Sequence, residues 1–225
     1  MQIELLSSPG EGDSRYVVEA SRPVLAGRDR PVVAYLAAAT VGYDWLDVTE
    51  QAYRELADVV LIDVETMTPA VIDAALDRAA MLLVSGGNTF VLNERLHRAG
   101  LREALRRRID DGLPVVAFSA GTNLCGVNVL TSNDMNVCAT THFDGLGIVR
   151  YSFNVHYPIE TAQRADRDER LRHYQAFHAN PILAIEDGAW LSVDRDGMRL
   201  RRGRCWLWEK GAEPRVLEAG AALPR

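Results

Sequence analysis

Along the first half of the chain, short apolar runs alternate with longer segments whose apolar positions recur at a helical period. Ile3–Leu6, Val32–Ala37, Val59–Ile62, Met81–Val84 and Val115–Phe118 are the short runs, rich in Val, Ile and Leu. Most are apolar enough to be buried on both faces, as strands of a parallel sheet are. Between them, Leu101, Leu105 and Ile109 recur at four-residue intervals with arginines on the other faces, the stripe of an amphipathic helix. Thr68-Pro69 opens another helix, with an N-cap residue followed by proline at the first helical position. Strand–helix alternation of this kind predicts a mostly parallel α/β sheet covered by helices on both faces. Ligands of such sheets bind at the carboxyl ends of the strands.

The last third changes character. Ile182–Ile185, Trp190–Val193, Met198–Leu200 and Cys205–Trp208 are short strand-like runs separated by Asp-Gly and Arg-Gly turns, with Asp196-Gly197 the sharpest hairpin signal. The expectation is a set of antiparallel C-terminal strands appended to the edge of the parallel sheet. No Ser/Gly tract, low-complexity run, repeat or break in composition divides the 225 residues, so one domain over 1–225 is the economical reading.

Composition narrows the class. A hydrophobic fraction of 48% and a charged fraction of 25% are those of a soluble globular protein. The net charge of -6 excludes a general nucleic-acid binder, which needs a basic face. Arg106–Arg108 is followed at once by Asp110 and Asp111, so it reads as a solvated helix face. Met1–Gly10 lacks the basic start and apolar stretch of a signal peptide, and no apolar run approaches the ~20 residues of a membrane span. Cys125, Cys138 and Cys205 have neither metal-ligand spacing nor an even count. They read as reduced, buried thiols of a cytoplasmic protein.

Two motifs carry chemistry. In Val115-Val116-Ala117-Phe118-Ser119-Ala120-Gly121 an apolar strand runs into a small-x-Ser-x-Gly turn, with a helix expected from Thr122. This is the nucleophile-elbow arrangement, in which small neighbours permit a strained turn that lifts the hydroxyl clear of the sheet. The helix N-terminus then offers backbone N–H groups to a developing oxyanion. The alternative is a Ser-Ala-Gly turn that merely ends a strand. Ser85-Gly86-Gly87-Asn88-Thr89-Phe90 also follows a buried strand. Its paired glycines suit an oxyanion loop with the Gly87 N–H aimed at the same point as that of Ala120. A capped glycine turn is the other reading, and the nucleotide-binding motifs are absent. A serine also needs a base. His97, His173 and His178 lie in charged helical segments, and His142 follows Thr140-Thr141. His156 ends the apolar stretch Phe153-Asn154-Val155, where a strand would deliver it to a sheet edge, and is the preferred candidate.

Taken together and in order, Gly86–Phe90, Ser119–Leu124, Thr131–Met135, Asn154–Tyr157, Arg167–Leu171 and Asp187–Trp190 resemble the signatures of the peptidase E family, the alpha-aspartyl dipeptidases related to cyanophycinase. The resemblance covers nearly the whole chain. It implies a flavodoxin-like fold related to class I glutamine amidotransferases, with Ser119 as nucleophile, His156 as base, and Gly87 and Ala120 as oxyanion donors. The triad acid carries over to Asp187, where the family has glutamate before Gly-x-Trp. Adjacent Glu186 is the reserve, since neighbouring side chains at a strand end face opposite ways. Substrate contacts carry over to Asn88, Asp134 and Arg167. Asn136 and Val155 stand where the family has prolines, and the segment from His156 to Arg167 is shorter, so the pocket wall is remodelled. The implied activity is hydrolysis of Asp-X dipeptides or short peptides, with no metal or organic cofactor. A homologue of altered specificity, a cyanophycinase-like hydrolase and a non-catalytic binding protein are the alternatives. A small peptide is the expected partner, neither nucleic acid nor membrane is, and homodimerisation is left open.

Overall fold

The computed structural model describes residues 1–8, 14–40 and 45–225, with the backbone alone of Ser14. Pro9 and Gly10, the end of the N-terminal stretch considered above, lie outside the described residues. The chain runs β1 (Ile3–Leu6), α1 (Ser14–Leu25), β2 (Val32–Leu36), α2 (Leu46–Tyr53), β3 (Asp58–Ile62), α3 (Pro69–Arg78), β4 (Met81–Val84), α4 (Thr89–Arg98), α5 (Arg102–Asp110), β5 (Val115–Phe118) and α6 (Ala120–Cys125). It continues through β6 (Ser152–Asn154), α7 (Thr161–Phe177), β7 (Ile182–Ile185), β8 (Trp190–Val193), β9 (Met198–Arg202), β10 (Arg204–Trp208), β11 (Arg215–Glu218) and β12 (Ala222–Leu223).

The main sheet has the order β12-β9-β8-β1-β5-β4-β2-β3. Its β3-β2-β4-β5-β1 portion is parallel throughout, and β8, β9 and β12 extend it antiparallel beyond β1. The period-two alternation of the strands sorts their side chains to two cores. Ala34, Leu36, Leu82 and Val84 meet Ile72, Leu76, Leu92, Leu96, Leu105 and Ile109 of α3, α4 and α5. Val33, Tyr35, Met81 and Leu83 meet Tyr16, Val17, Val24 and Tyr53 of α1 and α2. Helices therefore cover both faces, as the sequence pattern predicts. Thr68 caps α3 by accepting the Val71 N–H at 3.4 Å, with Pro69 next in line. Asp194–Gly197 closes the β8–β9 hairpin, with Gly197 at a φ of 151°.

The C-terminal region differs from expectation in one respect. Trp190–Val193 and Met198–Arg202 do extend the parallel sheet, but Ile182–Ile185 and Cys205–Trp208 leave it. They form the centre of a second sheet, ordered β11-β10-β7-β6, in which β6 and β7 are parallel. The reason lies in their two apolar faces. Leu183, Ile185, Cys205 and Leu207 enter the core of the main sheet, while Ile182, Ala184, Trp206 and Trp208 pack beneath Leu171 and Tyr174 of α7. Strands apolar on both sides need cover on both sides, and α7 supplies the second layer. Cys125 and Cys205 are buried thiols, each pushed up to about 12 by burial. Cys138 departs from the expected burial and is half-exposed, in a loop whose backbone is held by the Asn136 side chain. Arg106 and Arg108 are also only partly solvated: Arg106 pairs with Asp110, and Arg108 bridges to Asp73 and Asp77 of α3.

Candidate functional site

The carboxyl ends of β1, β4 and β5 from the main sheet meet those of β6 and β7 from the second. β5 ends at Phe118, and Ser119 follows with φ 52° and ψ -115°, outside the regions that L-residues favour. Such a conformation costs about 1–3 kcal/mol and persists only when its surroundings fix it. They do so here at close range. The Ser119 N–H donates to the carbonyls of Leu6 and Ser7, at 3.1 and 2.8 Å. A Cβ on Gly121 would stand 2.5 Å from the Val84 carbonyl oxygen, and one on Gly86 would stand 3.0 Å from the Ser119 Cβ. Only glycine fits at position 121, and a larger residue at position 86 would crowd the serine. Helix α6 begins at Ala120, two residues earlier than the sequence pattern placed it, so the hydroxyl stands at the helix N-terminus itself.

His156 follows β6, the edge strand of the second sheet, and its Nε2 lies 2.9 Å from the Ser119 Oγ. Its Nδ1 lies 2.6 Å from Oδ1 of Asp187, which follows β7. With the proton on Nδ1 facing the carboxylate, Nε2 is the acceptor for the serine hydroxyl. Burial pushes the Asp187 carboxyl up, but hydrogen bonds and charge attraction from His156, with the Ser7 hydroxyl and Arg167, hold it below the usual carboxylate range. Glu186, one residue earlier, turns the other way. It is nearly buried and binds Arg204, whose backbone N–H and guanidinium lie 2.7 and 3.0 Å from its oxygens.

The remaining histidines are elsewhere. The rings of His97 and His142 stack on one another with centroids 3.3 Å apart, His173 faces Glu169 on the exposed side of α7, and His178 stacks on Tyr174. Gly87 sits at φ 133°, and a Cβ there would lie 2.5 Å from the Ala39 carbonyl oxygen. Among the described residues, the N–H groups of Gly87 and Ala120 have no protein acceptor. The Asn88 side chain is committed to α4: its Oδ1 accepts from the N–H groups of Phe90 and Val91, and its Nδ2 donates to the Met135 carbonyl. Asp134 accepts the Thr89 N–H at 2.7 Å and the Ser132 hydroxyl at 2.9 Å through Oδ2. Arg167 is half-buried beside the pair, with Nη1 donating to the Val155 carbonyl at 2.9 Å. Burial and the neighbouring Arg170 push its guanidinium down, while Asp187 pulls it back up.

Two features escaped the sequence reading. The segment Thr131–Asp134 is a strap: Thr131 donates to the Phe153 carbonyl, Asn133 to the Val155 carbonyl, and Asp134 holds the start of α4. It therefore ties the free edge of β6 to the glycine loop after β4. The second is Ser7, whose hydroxyl accepts the His156 backbone N–H at 2.9 Å. Its only sequence signal is a small polar residue at the carboxyl end of a parallel strand.

Residues 5–201 match the model of peptidase family S51. The chain belongs to that family. Peptidase E of Streptomyces coelicolor is 39% identical over 155 residues, covering 67% of this chain and 64% of that protein. A probable alpha-aspartyl dipeptidase of Drosophila melanogaster is 37% identical over 126 residues, covering 54% of this chain and 52% of the relative. These two alignments thus span about half to two thirds of the relatives' length. A solved structure of a Listeria monocytogenes EGD-e protein assigned to peptidase E shares the fold seen here, with a TM-score of 0.72 at 20% identity over 89% of this chain and 98% of that one. Among the described residues, no cluster of His, Cys, Asp and Glu has the makings of a metal site, and no helix is long and apolar enough to cross a membrane.

Proposed function

We propose that residues 1–225 form one catalytic domain, a serine peptidase that hydrolyses dipeptides or short peptides through Ser119, His156 and Asp187. The observation that carries this reading is the unbroken contact series: Ser119 Oγ to His156 Nε2 at 2.9 Å, and His156 Nδ1 to Asp187 Oδ1 at 2.6 Å. His156 takes the hydroxyl proton as Oγ attacks the scissile carbonyl carbon, and Asp187 stabilises the imidazolium that forms. The tetrahedral oxyanion is met by the N–H groups of Gly87 and Ala120. The imidazolium then gives its proton to the leaving amine, the C–N bond breaks and an acyl-serine remains. Water, deprotonated by the same imidazole, attacks that ester and regenerates the hydroxyl. Neither metal nor organic cofactor enters these steps.

The names of the relatives direct the substrate proposal to Asp-X dipeptides. Among the described residues, only Nη1 of Arg167 is engaged, which leaves N–H donors for a substrate carboxylate. Asp134 keeps Oδ1 for an α-ammonium group, whereas Asn88 acts by holding the glycine loop rather than by touching substrate. The proposed site of action is the cytoplasm.

The test is a fluorophosphonate probe together with Asp-Leu, Asn-Leu and Ala-Leu as substrates. Labelling should map to Ser119 and vanish in Ser119→Ala, and that variant should lose about 10⁶-fold in kcat on Asp-Leu. Turnover by Ser119→Ala within about tenfold of the wild type would overturn the assignment. Labelling combined with preference for another first residue would keep the serine chemistry and replace the aspartyl specificity.

A further inference from the structure

Ser7 touches all three members of the proposed triad. It follows β1, at the junction between the parallel strands and the antiparallel extension, and it is completely buried. Its carbonyl accepts the Ser119 N–H at 2.8 Å. Its Oγ accepts the His156 N–H at 2.9 Å and lies 3.1 Å from the Ile185 carbonyl and 3.3 Å from Asp187 Oδ1. That carboxylate oxygen is the one that receives the imidazole Nδ1–H.

These contacts answer a specific need. His156 has a φ of 57°, a left-handed conformation that disfavours a non-glycine residue by about 1–2 kcal/mol. No regular strand pairing fixes it, because β6 ends two residues earlier at Asn154. The Ser7 hydroxyl, itself completely buried, supplies an acceptor for the His156 backbone N–H in this part-buried setting. A hydroxyl has a single proton, so Ser7 donates either to Ile185 or to Asp187 while accepting from His156 throughout. One side chain thereby fixes the backbone that carries the base and adjusts the carboxylate that orients it.

We propose that Ser7 is a positioning residue of the active site, whose hydroxyl sets the placement of the His156 imidazole against Ser119 and tempers the charge of Asp187. This inference rests on the Ser119–His156–Asp187 reading above. It predicts an effect on the chemical step rather than on substrate affinity. Without the hydroxyl, the imidazole loses its backbone anchor and Asp187 loses a donor, so the carboxylate favours the imidazolium more strongly. Arg167 from α7 and Tyr16 from α1, whose hydroxyl donates to the Gly188 carbonyl, are further titratable or charged groups facing the pair. Both stay in place when Ser7 is changed.

The experiment compares wild type, Ser7→Ala and Ser7→Cys for hydrolysis of Asp-Leu and for the rate of fluorophosphonate labelling, each across pH, alongside Tm. Cysteine keeps the shape of serine, with a somewhat larger sulfur in place of the oxygen, but is a weak donor and acceptor. Both variants should lose about 10- to 100-fold in kcat with KM within twofold, since a misplaced catalytic group slows chemistry without weakening binding. The acid limb of both pH profiles should move to higher pH. Wild-type kcat and an unmoved acid limb in Ser7→Cys would overturn the proposal, because space-filling alone would then suffice. Failure of both variants to fold would overturn it too, making the hydroxyl a purely structural group. Loss of labelling in Ser119→Ala alongside full activity in the Ser7 variants removes this inference alone, whereas persistent activity in Ser119→Ala removes the reading beneath it.

Discussion

The turn after β5, which carries Ser119, and the ends of β6 and β7, which carry His156 and Asp187, reach the same few ångströms by different means. Ser119 is fixed chiefly by close packing, with its N–H also held by the Leu6 and Ser7 carbonyls: Gly121 lies against the Val84 carbonyl, Gly86 against the serine Cβ, and α6 starts at the next residue. His156 and Asp187 are fixed by polar contacts from far along the chain, with the Ser7 hydroxyl 149 residues away from the imidazole it anchors. Rigid backbone packing suits the proposed nucleophile, whose strained conformation must not relax. Hydrogen-bonded anchoring suits the proposed base, which exchanges hydrogen-bond partners as it takes and returns a proton. The strap Thr131–Asp134 couples the two regions, since it pairs with β6 at one end and holds the α4 N-terminus at the other.

The polar region is the one a single heteroatom can break, and the largest effect expected after that of Ser119→Ala itself lies there. Asp187→Asn keeps the side chain's shape but offers an amide where Nδ1–H needs an acceptor, favouring the wrong imidazole tautomer. Activity on Asp-Leu should fall about 10⁴-fold in kcat with little change in KM. Glu186→Gln, in the neighbouring residue, should leave kcat within about threefold and lower Tm instead, because Glu186 binds Arg204 and faces away from His156. If the two variants exchange these outcomes, the carboxylate roles are reversed.

The steric region is broken by a methyl group. Gly87→Ala places a Cβ 2.5 Å from the Ala39 carbonyl oxygen at a φ of 133°. The loop must shift, carrying its N–H off target, and kcat should fall about 10²- to 10³-fold. Gly188 sharpens the contrast. It adjoins Asp187 at a φ of 79°, and nothing lies within 4 Å of a Cβ built there. Gly188→Ala should lower stability by only about 1–2 kcal/mol, from the left-handed backbone, with kcat within about threefold. Paired measurements of kcat and Tm separate the two cases.

The same contrast explains what the sequence disclosed. Steric demands are met by residue types that appear in order along the chain, so Gly86-Gly87 and Ser119-Ala120-Gly121 point to the elbow before any coordinates exist. The parallel strands are legible for a similar reason, as each is a short apolar run between helices of clear period. Polar anchoring leaves little trace, because a serine at a strand end is common and its partner 149 residues away carries no mark of the pairing. The second sheet was hidden for another physical reason. β7 and β10 are apolar on both faces, which says that both are covered but not by what, and α7 as their cover follows only from tertiary packing. The choice between Asp187 and Glu186 is similar: alternation predicts opposite directions, and which of them faces His156 depends on how β7 pairs with β6.

The smallest expected effect tests the seam between the parallel strands and the antiparallel extension of the main sheet. Glu4 lies in β1, nearly buried, where β8 begins the antiparallel extension. Burial pushes its carboxyl above the usual range, although hydrogen bonds from Ser192, Trp190 and Gln2, with the charge of Arg201, act in the opposite sense. A carboxyl whose folded-state pKa is raised favours the folded protein most when protonated. The stabilisation is fully present below the unfolded pKa and is lost as pH rises through the folded value. Glu4→Gln removes the charge and keeps one oxygen for the Trp190 and Ser192 donors, which both address the same carboxylate oxygen. Thermal unfolding should therefore show Glu4→Gln equal to or above the wild type at neutral pH, with the advantage vanishing as both are taken toward pH 4. A wild type that gains stability over the variant as pH rises would mean that the three donors outweigh burial, making the seam a site of favourable charge. Because Glu4 lies within β1, three residues before Ser7 and away from the triad, kcat on Asp-Leu should stay unchanged in Glu4→Gln, so that stability at the seam and chemistry at the strand end are read independently.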